Sequence, residues 1–487
     1  METNGKHLFK RGLGLFDSTM IVVGSMIGSG IFIVSADMSR VLGSPGWLLI
    51  AWIITGLLTI FSALTYGEFA CMMPKAGGQY VYLREAYNPF TAFLYGWTFF
   101  LVIQPGIIAA VAIAFAKFTG VLIPWVAEKN VWLDFDFIKF NTLHIIAILC
   151  IVFLSWLNTR GINTGKYVQN IFTVTKTLAV IGLIIIGIFI ARNLSAVEFN
   201  SEVFWSAVET GEGGSLIPLT GFVLIAALGC AMVGPLFASD SWYDVTFVGQ
   251  EIKRPERNLP LSMVLGTIIV IILYVLANLA YLQLLPLRGS ETGITEFERG
   301  MQFATYDRVG TAAISIVFSK YGAIIMAVLI MISTFGCNNG LILSGARVYY
   351  AMANDGLFFK GVGQLNKKGV PGAALVTQCT WACLLCLSGK YSDLLDYVIF
   401  AILLFFTITI FGIFILRKKR PDVPRPYKAF GYPVIPAIYI IIATFIMIDL
   451  LIYKPEYTWP GLIIVLLGIP VYYLWEKRKC SRNVNDI

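Results

Sequence analysis

Gly24-Ser25-Met26-Ile27-Gly28-Ser29-Gly30-Ile31-Phe32 lies in the middle of the first long apolar run of the chain. Three glycines and two serines fall within seven positions there. Each Gly in a helix interior costs about 1 kcal/mol relative to Ala. Gly24 and Gly28 alone would suit a close contact between two membrane helices. Gly28-Ser29-Gly30 goes further, because three adjacent small residues suit a backbone that unwinds locally. A counterpart lies in the sixth apolar run, where Gly229, Gly234 and Pro235 precede Phe237-Ala238-Ser239-Asp240-Ser241-Trp242-Tyr243-Asp244. Pro235 removes a hydrogen-bond donor and cannot close an ordinary turn. Ser-Asp-Ser is unfavourable in hydrocarbon unless it faces protein or water. Both helices are therefore predicted to be broken.

Around these two stretches the sequence is that of a membrane protein. Of its 487 residues, 57% are hydrophobic and only 13% charged, against about 25% charged in an ordinary soluble domain. Apolar runs long enough to span a bilayer are predicted at 15–35, 47–73, 90–118, 142–157, 168–191, 216–248, 261–285, 312–353, 373–387, 394–416, 434–453 and 460–475. The eighth run is too long for one simple span, and its inner end is expected to continue as helix beyond the bilayer. The whole chain, 1–487, reads as one all-α membrane transport domain. The breaks occupy the first and sixth spans, which correspond if five helices repeat as five more. That division gives a first repeat at 15–191, a second, inverted repeat at 216–416, and two additional helices at 434–475. Paired breaks of this kind mark a solute site near the membrane midplane. A half-helix N-terminus offers N–H groups and partial positive charge to a carboxylate. Freed carbonyls on the opposing side suit an ammonium group.

Loop charges set the expected orientation. With both termini inside, inner segments hold about 24 Lys and Arg and outer ones about 11. Arg11, Lys253, Arg254, Arg257, Lys367, Lys368 and the run Arg417 to Arg420 are inner; Glu198, Glu202, Glu209, Glu291, Glu296 and Glu298 are outer. The polar, basic stretch 1–11 leads into a first helix expected to be retained, not cleaved as a signal peptide. The formal net charge of +8 does not imply nucleic acid, because the basic residues are scattered over short loops. Cys379, Cys383 and Cys386 share one helical face, but no His or carboxylate joins them at ligand spacing. They read as packing residues, so neither a metal nor a cofactor is expected. No Cys falls in an expected outer loop, and no disulfide-linked partner subunit is expected. The expected partners are a small-molecule substrate and the lipid bilayer.

Several stretches resemble one family. Gly28-Ser29-Gly30-Ile31-Phe32 is similar to the first-helix motif of the amino acid–polyamine–organocation superfamily. Pro74 to Tyr82 resembles its first inner loop, Gly249 to Pro260 its loop after the sixth helix, and Arg420 to Tyr427 its segment after the tenth. The nearest branch resembles the L-type amino acid transporters and their bacterial relatives. The resemblance implies a LeuT-type 5+5 inverted-repeat fold of about 12 transmembrane helices, with helices 1 and 6 broken and alternating access. It also implies that backbone N–H groups around Gly28, Ser29 and Gly30 meet a substrate carboxylate. The carbonyls of Met26, Phe237 and Asp240 would meet its ammonium, with Ala238 and Trp242 beside it and Phe237 as an aromatic gate. Lys176, costly in the fifth run, either snorkels to the inner surface or, by likeness, takes the place of a sodium ion and ties the first helix to the eighth. Burial there would also let Lys176 respond to protons.

The chain departs from the L-type pattern at Asp240-Ser241, where Gly-Gly is common. Asp240 can bind a cationic side chain, bond a hydroxyl, carry a coupling proton, or cap a second half-helix. Asp244, just beyond, can share a polar path with it. Asn338 and Asn339 either line the cavity or bond neighbouring helices. The expectation is an amino acid transporter working by sodium-independent exchange or proton-coupled uptake. Alternatives are a carrier of a related amine or polyamine, a membrane sensor, a channel and a membrane enzyme. An enzyme is disfavoured because only Asp240, Asp244, Asp449 and Lys176 lie deep in the spans, without a convergent catalytic set.

Overall fold

The computed structural model describes residues 11–126, 130–135, 138–211, 215–387 and 391–485; the basic tail before Arg11 and the loop residues 127–129 and 212–214, expected on the outer side, lie outside them. Among the described residues, eleven helices are long and apolar enough to cross a membrane. In chain order the helices are α1 (Leu15–Ile33), α2 (Pro45–Met72), α3 (Pro89–Leu122), α4 (Thr142–Thr159), α5 (Gly165–Ile190), α6 (Gly221–Ala238), α7 (Pro255–Leu284) and α8 (Tyr321–Asn354). The shorter α9 (Gly372–Cys386) follows, then α10 (Tyr391–Lys419), α11 (Val434–Tyr453) and α12 (Thr458–Lys477). Local chemistry sets several starts. Ser44 and Asn88 cap α2 and α3 by accepting from Trp47 N and Thr91 N, and Pro45 and Pro89 follow as first residues. Pro105 in α3 lacks an N–H, and the preceding turn, Phe99–Ile103, widens to a π-helix.

Two expectations need correction, and one is refined. At the start of the eighth run Ser319 (φ 51°, ψ −137°) separates a short helix, Val309–Ser319, from α8; the 34 residues of α8 still exceed the roughly 20 that one span needs. The sixth span starts later than 216, because Leu216–Pro218 pairs as a strand with Val208–Thr210. Beyond its break, α6 does not resume as an α-helix. The chain continues in turns and two 3-10 segments, Asp244–Thr246 and Gly249–Glu251.

The core forms where α1 is enclosed by α5, α7 and α8, with α2 against α7 and α8 against α3. The two last helices lie at the edge, α11 on α2 and α10, and α12 on α3 and α10. Outward side chains such as Ile171, Leu178, Phe189 and Ile190 on α5 are exposed, which carries no penalty when the solvent is lipid.

The basic loops gather on one face. There Leu13 pairs with Ile252, Lys166 with Asp17 at 2.8 Å, and Arg84 with Asp355. Trp475 Nε1 donates to Gly356 O (3.0 Å). Glu68, at the end of α2, accepts from Arg417 Nη2 (2.6 Å) and from the backbone N–H of Ala429 (2.7 Å), and Arg425 lies 3.2 Å away. The opposite face is closed by Arg40 with Asp307 (2.8 Å) and by Arg288 on Gly43 O (2.7 Å).

Candidate functional site

Both predicted breaks are present, and they touch. The N-terminal piece of α1 ends at Met26, Ile27 turns extended (ψ 91°), and helix resumes at Gly30. α6 stops at Ala238, and Ser241 adopts a positive φ of 67°, unusual for a residue with a side chain. The three glycines of the opening stretch face three different helices. A Cβ on Gly24 would meet Gln169 and Thr173 of α5 within 2.3 Å, and one on Gly28 would lie 3.1 Å from Cys337 Sγ of α8. A Cβ on Gly30 would lie 2.6 Å from Ala238 Cβ of α6. Small residues are thus needed on every side of the break, not along one contact stripe.

Breaking a helix frees carbonyls that must find donors. Lys176 meets that need at α1. It is 1% exposed, and its Nζ donates to Gly24 O (2.5 Å) and Ile27 O (2.6 Å), with Ser333 O of α8 at 3.4 Å. Snorkelling is thereby excluded. Ser333 Oγ lies 3.1 Å from both Ile27 O and Gly28 O, and Cys337 Sγ donates to Ser25 O (3.0 Å). Tyr274 of α7 joins the two breaks, its hydroxyl within 2.9 Å of Met26 O and 3.1 Å of Ala238 O. The expected ammonium acceptors are therefore already in use in part: Met26 O faces Tyr274, and Phe237 O accepts from Asp240 N (3.1 Å). Each carbonyl keeps a second lone pair.

Asp240 is buried, with Oδ2 3.3 Å from Ser241 Oγ and no donor on Oδ1. No α-helix follows for it to cap. It lines a narrow cavity with Thr59 and Ser62 of α2, Ser239, Phe406 of α10 and Tyr439 of α11. About 20 Å³ there is open to the centre of a water molecule, room for water and not for an amino acid. Trp242 also borders this cavity, its ring 4.9 Å from Tyr66 and 5.5 Å from Phe406. Phe237 is buried beside the break. Met26, Gly28, Ser29, Gly30, Phe237, Ala238 and Lys176 come together at the crossing of α1 and α6, whereas Asp240 and Trp242 turn toward α2 and α10.

Of the two asparagines of α8, Asn339 takes the bonding role left open for it. Asn339 bonds Gln169 Oε1 (3.0 Å) and Gly165 O (3.2 Å), and accepts from Asn158 (3.0 Å). Both polar atoms of Asn338, fully buried, have no partner. Tyr274, Ser333 and Cys337 were not singled out in the sequence. None carries a local pattern that marks it as a partner, and only the fold brings it to the break. Among the described residues, no group of three or more His, Cys, Asp or Glu is placed to hold a metal ion.

An amino acid permease family model matches residues 13–472. The chain belongs to the amino acid permease family. Human "Large neutral amino acids transporter small subunit 2" is 31% identical to this permease over 484 residues, covering 98% of the chain and 83% of that protein. "Serine/threonine exchanger SteT" of Bacillus subtilis (strain 168) is 29% identical over 483 residues, 99% of each chain. Human "b(0,+)-type amino acid transporter 1" is 27% identical over 484 residues, covering 96% of the chain and 89% of that protein. This permease is a multi-pass membrane transporter with the LeuT-type fold, broken in helices 1 and 6, and not an enzyme.

Proposed function

We propose that this permease carries amino acids across the cell membrane by alternating access, without sodium, as an exchanger or a proton symporter. The observation that carries the reading is the touching pair of breaks, with the Lys176 ammonium among the freed carbonyls of α1. A fixed cation there does for the break what a bound metal ion would do, so none is required.

Backbone N–H groups around Gly28, Ser29 and Gly30 take the substrate carboxylate, helped by the Ser29 hydroxyl. The free lone pairs on Met26, Phe237 and Asp240 carbonyls take the ammonium, with Phe237 closing above and Ala238 beneath. In the closed arrangement seen here the substrate enters only after α1 and α6 part. The open oxygen of Asp240, on the side where Trp242 lies, favours substrates whose side chain carries a donor, a hydroxyl or a cation. Residues 15–191 and 216–416 form the two repeats that rock against each other, and 434–475 supply extra helices at the edge. The basic face is cytoplasmic, with both termini there.

The test is reconstitution in liposomes with a panel of labelled amino acids, with and without sodium, a pH gradient and internal amino acid. Saturable, sodium-independent uptake of an amino acid supports the reading. Uptake of none of them, or only with sodium, contradicts it.

A further inference from the structure

A second buried carboxylate lies beyond the substrate break, toward the basic face. Asp244 is completely buried. It begins the 3-10 segment Asp244–Thr246 after the α6 break, packed against the N-terminal piece of α1, against α7 and against α8. Its depth follows from α8. Ser333 marks the level of the α1 break, and Ser344, Asp244's partner, is eleven residues further along, about 16 Å at 1.5 Å per residue. Thr246, two residues on, already touches Gly78 in the loop between α2 and α3 on the basic face.

The Ser344 hydroxyl can serve both protonation states of Asp244. Ser344 Oγ is 2.8 Å from Asp244 Oδ2 and 2.9 Å from Gly340 O. With the carboxylate charged, the Ser344 hydroxyl donates to Oδ2. With it protonated, the acid O–H donates to Ser344 Oγ, and the serine turns its own hydrogen to Gly340 O. No heavy atom has to move. Oδ1 has no hydrogen-bond donor.

Among the described residues, no cation offsets a charge there. The titratable groups facing Asp244 are Asp240 and Tyr243 on its own segment, Tyr95 on α3, and Cys337 and Tyr349 on α8. α3 also presents Gln104, a neutral side-chain hydrogen-bond partner of the Asp244 carboxylate, whose Nε2 donates as well to Leu341 O (2.8 Å). Tyr274 of α7 is committed to Met26 O and Ala238 O. The N-terminal piece of α1 has one titratable residue, Asp17, which pairs with Lys166. Arg347, further along α8, pairs with Glu251 at 3.0 Å. Charge on Asp244 is therefore favoured only when water reaches it. Lys176 is the poorer proton donor of the buried groups, because carbonyl oxygens already satisfy its ammonium.

We infer that Asp244, with Ser344 as its relay partner, is the proton-carrying group that couples transport to the proton gradient. While α1, α6 and α8 are closed over it, the carboxyl stays protonated. When they part on the basic face, water enters, the O–H bond breaks and the proton passes to that water. The empty carrier reloads its proton from the other side before the next cycle. This rests on the proposed transport of amino acids and decides between its two modes in favour of symport.

The experiment uses the full permease in liposomes, oriented by accessibility of its tails, with the labelled amino acid that the panel identifies and an internal pH dye. For one-to-one coupling, an inward gradient of one pH unit should accumulate substrate about tenfold, since one unit of proton potential equals a tenfold ratio. Substrate addition should acidify the lumen. Asp244→Asn, which mimics the protonated form in shape, should lose both effects and still exchange internal for external amino acid. Ser344→Ala should keep gradient-driven uptake but move its pH midpoint. A wild type that exchanges amino acids indifferently to the gradient overturns the inference and leaves the transport reading standing. So does gradient drive that survives in Asp244→Asn, which would pass the role to Asp240 or Lys176. An unmoved midpoint in Ser344→Ala overturns the relay.

Discussion

Gly30→Ala is the smallest change that should separate the two breaks. The added Cβ would sit 2.6 Å from Ala238 Cβ and 2.9 Å from Ala238 Cα. Carbon atoms pack at about 3.5–4.0 Å, so α1 and α6 must move apart by about 1 Å. The nearest obstacle includes backbone, so no side chain can simply turn away. Overpacking of this kind costs about 1–3 kcal/mol. If the closed, substrate-bound arrangement bears that cost, affinity falls by about 5- to 150-fold. Equilibrium binding of labelled substrate to purified protein, beside thermal unfolding in the same detergent, measures it. Ala238→Gly in the same chain removes the closer of the two contacts and should restore part of the affinity, giving a coupling energy between positions 30 and 238. Unchanged affinity in Gly30→Ala, or strictly additive effects in the pair, would refute the claim that the breaks close on each other around the substrate.

Three further outcomes follow from the same geometry. Lys176→Met leaves the Gly24 and Ile27 carbonyls buried without their charged donor, at about 1–3 kcal/mol each, offset in part by removing a desolvated charge. Transport should drop at least about tenfold while the protein still elutes as a folded species; wild-type rates would show that the lysine is not needed at the break. Asp240→Asn should change the preference among donor-bearing side chains in competition assays, and an identical profile would make Asp240 a structural residue. Glu85, outside the spans, lies 2.9 Å from Arg84 and 2.6 Å from Arg420. Burial pushes its pKa up, but the two arginines outweigh that and hold it below the usual carboxylate range. Its contribution is therefore present above the ordinary Glu pKa of about 4.3 and lost as pH falls through the lowered value. The gap in unfolding temperature between wild type and Glu85→Gln should be widest near pH 7 and close below about pH 4; a constant gap would contradict the pairing.

What the sequence carried well was local. Runs of apolar residues placed the spans, and Gly28-Ser29-Gly30 and Pro235 with Ser239-Asp240-Ser241 located both breaks, because propensity and the cost of polar groups in lipid act within a few residues. Contacts between distant segments were less legible. Gly24, Gly28 and Gly30 look alike in sequence, yet α5, α8 and α6 decide what each one allows. Tyr274, 248 residues from Met26 in sequence, has no local feature marking it as a bridge. The kink at Ser319 and the 3-10 continuation beyond the α6 break escaped, because neither Ser319 nor the residues after Ser241 carry a pattern that forbids α-helix by itself. Asn338 and Asn339 are chemically identical neighbours, and only the facing helices give one of them partners.

Two touching helix breaks are proposed to hold the main-chain ends of an amino acid. An experimental structure of the permease with substrate bound measures this most directly. The α-carboxylate is predicted within hydrogen-bond distance of the backbone N–H groups at 28–30, with the ammonium toward Met26 and Phe237 carbonyls. Substrate bound away from both breaks, with its carboxylate held by side chains elsewhere, would contradict it.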